Sequence, residues 1–110
     1  MSRIYQNAYT ETVVSIGNSS TTKTLSLTNG NVQTCTLTGN CVFTMPTAAA
    51  GKSLLLFLYT GAGSFTASFT GVKFIGGSAP TISTTASRTD LLSFVSEGTY
   101  WYGSYIQNYS

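Results

Sequence analysis

No apolar run in this chain is longer than six residues, and that limit decides most of what it can fold into. The longest, Leu54-Leu55-Leu56-Phe57-Leu58-Tyr59, lies between Gly51 and Gly61. It is too short and too closely flanked by strand-like sequence for a helix. A continuous run of this length marks a strand covered on both faces, or the central strand of a sandwich. Elsewhere the apolar residues alternate with polar ones. Leu25 and Leu27 alternate with Thr24, Ser26 and Thr28, and Phe65, Ala67 and Phe69 with Thr66, Ser68 and Thr70. Cys41, Phe43 and Met45 share one face of a further segment. A period of two residues is the signature of a half-buried strand.

Turn residues punctuate these segments. Asn29-Gly30 predicts a tight hairpin, with Val32 to Leu37 as its return strand. Thr38-Gly39-Asn40, Pro46, Gly61-Ala62-Gly63 and Gly76-Gly77 mark further bends. Thr47 to Gly51 has room for one helical turn at most. Thr81 to Thr84 reads as a polar, peripheral strand after Pro80. Leu91 to Ser96 and Thr99 to Ile106 read as a pair joined at Glu97-Gly98, with Trp101 and the tyrosines 100, 102 and 105 on alternating faces. Eight or nine short strands separated by turns predict an all-β fold, an antiparallel β-sandwich or jelly roll, as a single domain over 23–110. Residues 1–22 are polar apart from Thr12-Val13-Val14-Ser15-Ile16. They read as an edge strand or as an N-terminal arm that orders on a neighbouring subunit, and the arm is favoured.

Composition sharpens the picture where the pattern stops. The 110 residues fit one domain with a real core. Only 7% of them are charged, where about 25% is usual. Solvation falls instead to 19 Thr and 15 Ser, and the stiff, branched Thr side chain suits a pleated surface. With 13% aromatic residues and few charges, the chain resembles the buried part of a protein interface more than a solitary surface. The expectation is an obligate oligomer, or a protein held against another protein.

The five cations, Arg3, Lys23, Lys52, Lys73 and Arg88, are scattered, and the net charge is +2. Binding a nucleic-acid backbone needs clustered cations, so nucleic acid is not an expected partner. No stretch approaches the roughly 20 apolar residues that span a bilayer, and Met1 to Asn7 lacks the apolar core of a secretory signal. A soluble protein made in a cytosol is expected. There Cys35 and Cys41 stay reduced by default, a disulfide across a hairpin being the lesser reading. Two thiolates without any histidine do not complete a metal site.

Catalysis finds few candidates. Histidine, the commonest general base, is absent. The acids are Glu11, Asp90 and Glu97, and the last two fall at opposite ends of one strand, too far apart to work as a glycosidase pair. Gly51-Lys52-Ser53 echoes the end of a phosphate-binding loop, but Pro46 replaces the required first glycine and a strand follows instead of a helix. No enzymatic activity and no cofactor are expected. The aromatic C-terminal segment, Tyr100-Trp101-Tyr102 with Tyr105 and Tyr109, fits either a sugar-stacking platform or subunit contacts. With no acids or amides evident nearby to orient a sugar, contacts are favoured.

In this order along the chain, several pieces resemble a recurring domain in structural proteins of tailed bacteriophages, notably those infecting cyanobacteria and marine bacteria. They are Phe43-Thr44-Met45-Pro46, Gly51-Lys52-Ser53, Gly71-Val72-Lys73-Phe74, Gly76-Gly77-Ser78-Ala79-Pro80-Thr81, Asp90-Leu91-Leu92-Ser93-Phe94 and Ser96-Glu97-Gly98-Thr99-Tyr100-Trp101-Tyr102-Gly103. The resemblance spans Phe43 to Gly103, a little over half the chain. It implies a viral protein of the virion, either a capsid decoration (cement) protein or the tip of a tail fibre, and a homotrimer in both cases. It carries no catalytic residues. A short chain with a polar arm favours the cement reading, with the major capsid protein as partner and the capsid surface as location after synthesis in the host bacterial cytoplasm. The fibre tip, binding carbohydrate, is the alternative. The expected contact residues are Arg3, Ile4, Tyr5, Tyr9 and Val13 on the arm, with Tyr100, Trp101, Tyr102 and Tyr105 on the aromatic segment.

Overall fold

In the computed structural model, which describes residues 11–110, the chain alternates between two sheets from its first strand to its seventh and then stays in the larger one. Its strands are β1 (Val13–Asn18), β2 (Thr22–Thr24), β3 (Val32–Thr36), β4 (Cys41–Thr44), β5 (Ser53–Tyr59), β6 (Ala67–Thr70), β7 (Val72–Phe74), β8 (Thr89–Ser96) and β9 (Trp101–Tyr109). A six-stranded sheet has the order β1-β3-β5-β8-β9-β7, and a three-stranded sheet the order β2-β4-β6. All pairings among the first six strands are parallel. Each circuit therefore adds one strand to either sheet, and three circuits make a short, flattened coil. The antiparallel hairpin β8–β9 extends the larger sheet beyond β5, and β7 runs parallel to β9 at its far edge.

The all-β class holds, while the pairing departs from the antiparallel expectation. Only β5–β8 and β8–β9 are antiparallel. A parallel pair needs a crossover, and here the crossover is a strand of the opposite sheet. Asn29-Gly30 accordingly makes no hairpin. Ser26 caps a short 3-10 turn over Leu27–Asn29, its hydroxyl accepting from the Thr28 amide at 3.2 Å, and Gly30 follows at φ 119°, ψ 171°. That conformation lies outside the paired left-handed residues of a two-residue hairpin turn and carries the chain round to the other sheet. Thr81–Thr84 forms no strand, because the Ser83 amide donates to the Asp90 carboxylate at 2.7 Å. Val13–Asn18 pairs with β3 as the edge strand of the larger sheet, so residues 13–22 form part of the first coil and not an arm. Arg3, Ile4, Tyr5 and Tyr9 lie outside the described residues.

Alternation decides what fills the coil. Leu54, Leu56 and Leu58 of β5 and Leu92 and Phe94 of β8 point inward and are buried. Fully burying such side chains contributes about 1.5–3 kcal/mol each. Phe43 stacks on Phe69 at 4.8 Å within the smaller sheet, and Phe69 meets Phe94 of the larger one at 5.2 Å. Phe74 closes the cluster, 6.2 Å from both Phe69 and Phe94. It fits only because Gly103 lies beside it: a Cβ there would come within 2.6 Å of the Phe74 ring.

The corners are held by hydroxyls. Ser19 N–H donates to the Thr36 carbonyl and Leu37 N–H to the Tyr59 carbonyl, both at 2.8 Å, which continues the parallel ladder round the bend. The Ser19 hydroxyl accepts from the Thr38 amide at 3.0 Å, and the Thr38 hydroxyl from the Ser20 amide at 2.9 Å. Buried Gln33 pins the opposite corner, its side-chain amide donating to the Ser26 and Gly30 carbonyls at 2.9 and 2.8 Å. Ser, Thr and an amide thus supply the pairing that buried backbone requires, without using charges.

Candidate interaction surface

The two acids singled out for chemistry occupy opposite ends of β8, about 23 Å apart at the rise of an extended strand. Asp90 is fully buried. It accepts from the Ser83 amide and hydroxyl, both at 2.7 Å, and from the Asn108 amide at 2.9 Å. Asn108 sits at φ 71° in a bulge of β9, where two residues oppose Asp90 alone. Asp90 is therefore a clasp between an irregular loop and a bulged strand. Glu97 lies in the exposed turn after β8. Its carboxylate accepts from the Thr99 and Tyr100 amides at 2.6 and 2.8 Å and from the Tyr102 hydroxyl at 3.4 Å. The Tyr100 amide, then the Thr99 amide, hold its pKa below the usual carboxylate value.

Cys35 and Cys41 are buried free thiols. Burial pushes Cys35 up to about 11, against a smaller opposing pull from Lys23. Cys41 is also raised by burial, and its thiol donates to the Ser19 carbonyl at 3.7 Å. Among the described residues no three His, Cys, Asp or Glu side chains gather as metal ligands. No helix among them is long and apolar enough to cross a membrane. Lys52 and Ser53 lead into β5, a strand.

The outward-facing residues are more informative. Read across the larger sheet by register, one row runs Val13, Val32, Leu55, Ser93, Ser104. The next runs Ser15, Thr34, Phe57, Leu91, Ile106, and the one beyond it carries Tyr59, Thr89 and Tyr109. On the other flank Ser53, Val95, Tyr102 and Lys73 form a fourth row. Val13, Val95 and Ile106 are 58%, 55% and 59% exposed. Lys73 is the one charged side chain in these four rows, and its ammonium sits 4.3 Å over the Tyr100 ring. Apolar residues thus stand beside hydroxyls across five strands of this face, where the smaller sheet carries hydroxyls almost alone.

The structure divides the aromatic segment. Trp101 is 2% exposed and points into the coil, its indole N–H donating to the Pro46 carbonyl at 2.8 Å. It is a core residue and not the contact residue expected. Tyr105 is half-buried against Phe74 at 6.2 Å. Tyr100 and Tyr102 are exposed, as is Val13. The residues that sequence reasoning missed are Leu55, Phe57, Val95 and Ile106. The first two lay in the apolar run read as a strand covered on both faces or as the central strand of a sandwich. Its inner face is covered, but its outer face is half-exposed.

Between these rows lies a groove of about 440 Å³, bordered by Glu11, Val32, Leu55, Ser93, Val95 and Tyr102. It is shallow in chemistry: the walls offer hydroxyls and apolar carbons, with Glu11 at the end where the described chain begins. Comparison with protein-family models, with curated proteins and with solved structures found no match for this chain.

Proposed function

We propose that this protein is a non-catalytic structural component of a bacteriophage virion, a capsid decoration protein that binds across neighbouring major capsid subunits through the outer face of its larger sheet. The observation that carries the reading is the uncharged, apolar stretch Phe57, Tyr59, Leu91, Ile106 and Tyr109 on that face. Such a surface favours burial against protein, since depletion of charge and enrichment of aromatics characterise interface cores. The resemblance of Phe43 to Gly103 to domains of phage structural proteins supplies the particle. A trimer is the proposed assembly, so that three weak contacts act together and stabilise the shell by multivalency. Both buried Asp90 and turn-bound Glu97 already serve the fold, in keeping with a role by contact and without turnover.

Quantitative mass spectrometry of purified virions tests this against the major capsid protein. A copy number comparable to the capsid protein is expected. A ratio in the range of tail proteins overturns the decoration role in favour of a fibre tip, in which Tyr100 and Tyr102 are the exposed rings available to a sugar.

A further inference from the structure

The three circuits of the coil share one inner column on the smaller sheet, and its first position differs from the others. Register aligns Lys23 of β2 with Phe43 of β4 and Phe69 of β6, all on the inward face. Phe43 and Phe69 stack at 4.8 Å, which is one strand spacing. In the first circuit a lysine takes the place of a third ring. Among the described residues β1 and β2 are also the end strands of the two sheets, so this circuit forms an end of the coil. We propose that Lys23 closes that end, and that without its ammonium the first circuit pairs with the first circuit of a second copy. The inference stands apart from the virion reading and holds whatever face meets the capsid.

The path of the side chain is the first argument. Lys23 starts from the smaller sheet, and its ammonium donates to the Ile16 and Asn18 carbonyls of β1 at 2.5 and 3.3 Å. One residue therefore ties the end strand of one sheet to the end strand of the other. Direction is the second. The Asn18 carbonyl shares a peptide plane with the Ser19 N–H, which donates to the Thr36 carbonyl at 2.8 Å. In a trans peptide the two groups point opposite ways, so that carbonyl faces the edge where no described strand pairs. An open edge of this kind is a template for another chain, and a lysine laid against it blunts it. Chemistry is the third. A ring at position 23 would offer its outer face for another ring to stack on. An ammonium resists burial there, and two such ends brought together would oppose like charges.

Sedimentation velocity of the full chain over a range of concentrations tests the proposal. Lys23→Phe repeats the side chain of the next two circuits, and Lys23→Met keeps an unbranched apolar stem without the charge. Each is expected to sediment at about twofold or more the mass of the unchanged protein, as two open ends pair with each other. Lys23→Arg, which keeps the cation, is expected to match the unchanged protein. Hydrogen exchange of the enlarged species should show new protection in the peptide from Val13 to Thr24, which holds β1 and β2. A neutral variant that sediments like the unchanged protein, or an arginine variant that does not, overturns the proposal. New protection confined to other strands does the same. Equal enlargement of Asp90→Ala also overturns it, since lost stability and not an open end would then drive association. So does loss of a cooperative urea transition in the neutral variants, because the lysine would then hold the first circuit together instead of closing it.

Discussion

The two sheets of this coil are laid down by alternate strands of one chain, yet their outer faces have opposite characters. On the three-stranded sheet the outward positions are Thr22, Thr24, Val42, Thr44, Ser68 and Thr70, which is nearly all hydroxyl. On the six-stranded sheet the equivalent positions include Val13, Leu55, Phe57, Leu91, Val95 and Ile106. Both sets satisfy the strand preference for branched or aromatic side chains. They differ in the apolar area they leave in water. Thr gives a pleated surface that water wets, whereas Phe and Ile leave one that gains by being covered. A nearly charge-free composition therefore does not make the whole surface apolar. It leaves one side partly apolar, and the other side shows how the same backbone is kept solvated with hydroxyls.

That contrast rests on the assignment of inner and outer faces, so the largest effect should come from the residue that fixes it. Trp101→Ala is expected to lose about 3–5 kcal/mol in a urea titration, while Tyr102→Ser, next along β9 but outward, stays within about 0.5 kcal/mol. Similar losses for the two would break the assignment. Asp90→Ala, which strips three donors of their buried acceptor, should cost about 1–3 kcal/mol in thermal unfolding. Association distinguishes the faces directly. In co-sedimentation with capsids, Phe57→Lys with Ile106→Lys should abolish the proposed binding, while Thr24→Lys with Thr44→Lys leaves it intact. Loss of binding with the second pair would move the contact to the hydroxyl face. The smallest effect is expected at Glu97. Its folded pKa is depressed, so its stabilising hydrogen bonds are fully present above the unfolded value of about 4.3 and fade as pH falls through the lower folded value. Glu97→Gln should flatten that acid limb of the stability profile, measured by urea melts between pH 5 and 2.

Much of the fold is legible in the sequence, residue by residue. The apolar run at Leu54–Tyr59 is β5, and Leu91–Ser96 with Glu97-Gly98 is the start of the β8–β9 hairpin. Strand partners are not legible in the same way. Alternation tells which side of a strand is dry and says nothing of the strand beside it. Parallel stacking here depends on corner contacts such as Ser19 to Thr36 and Ser20 to Thr38, where each residue looks locally like part of an ordinary polar turn. Asn29-Gly30 misled for a related reason: its turn chemistry was sound, but Gln33 ties the segment to a corner and not to a returning strand. At Trp101 the alternation was visible and its sign was not. Trp101 goes inside because its N–H finds the Pro46 carbonyl, 55 residues away in sequence. The outward apolar set was hidden for the opposite reason, since Leu55 and Phe57 sit within a run that looks uniformly buried.

The winding has a consequence for size. Because each circuit repeats the same path, a further coil of about twenty residues inserted between β4 and β5 would lengthen both sheets by one strand, some 4.8 Å, and leave the terminal hairpin with its own neighbours. Face area on such a molecule becomes a matter of counting turns, in which duplication of one segment widens the apolar side and the hydroxyl side together. The β8–β9 hairpin, by reversing direction, is what tells the count to stop.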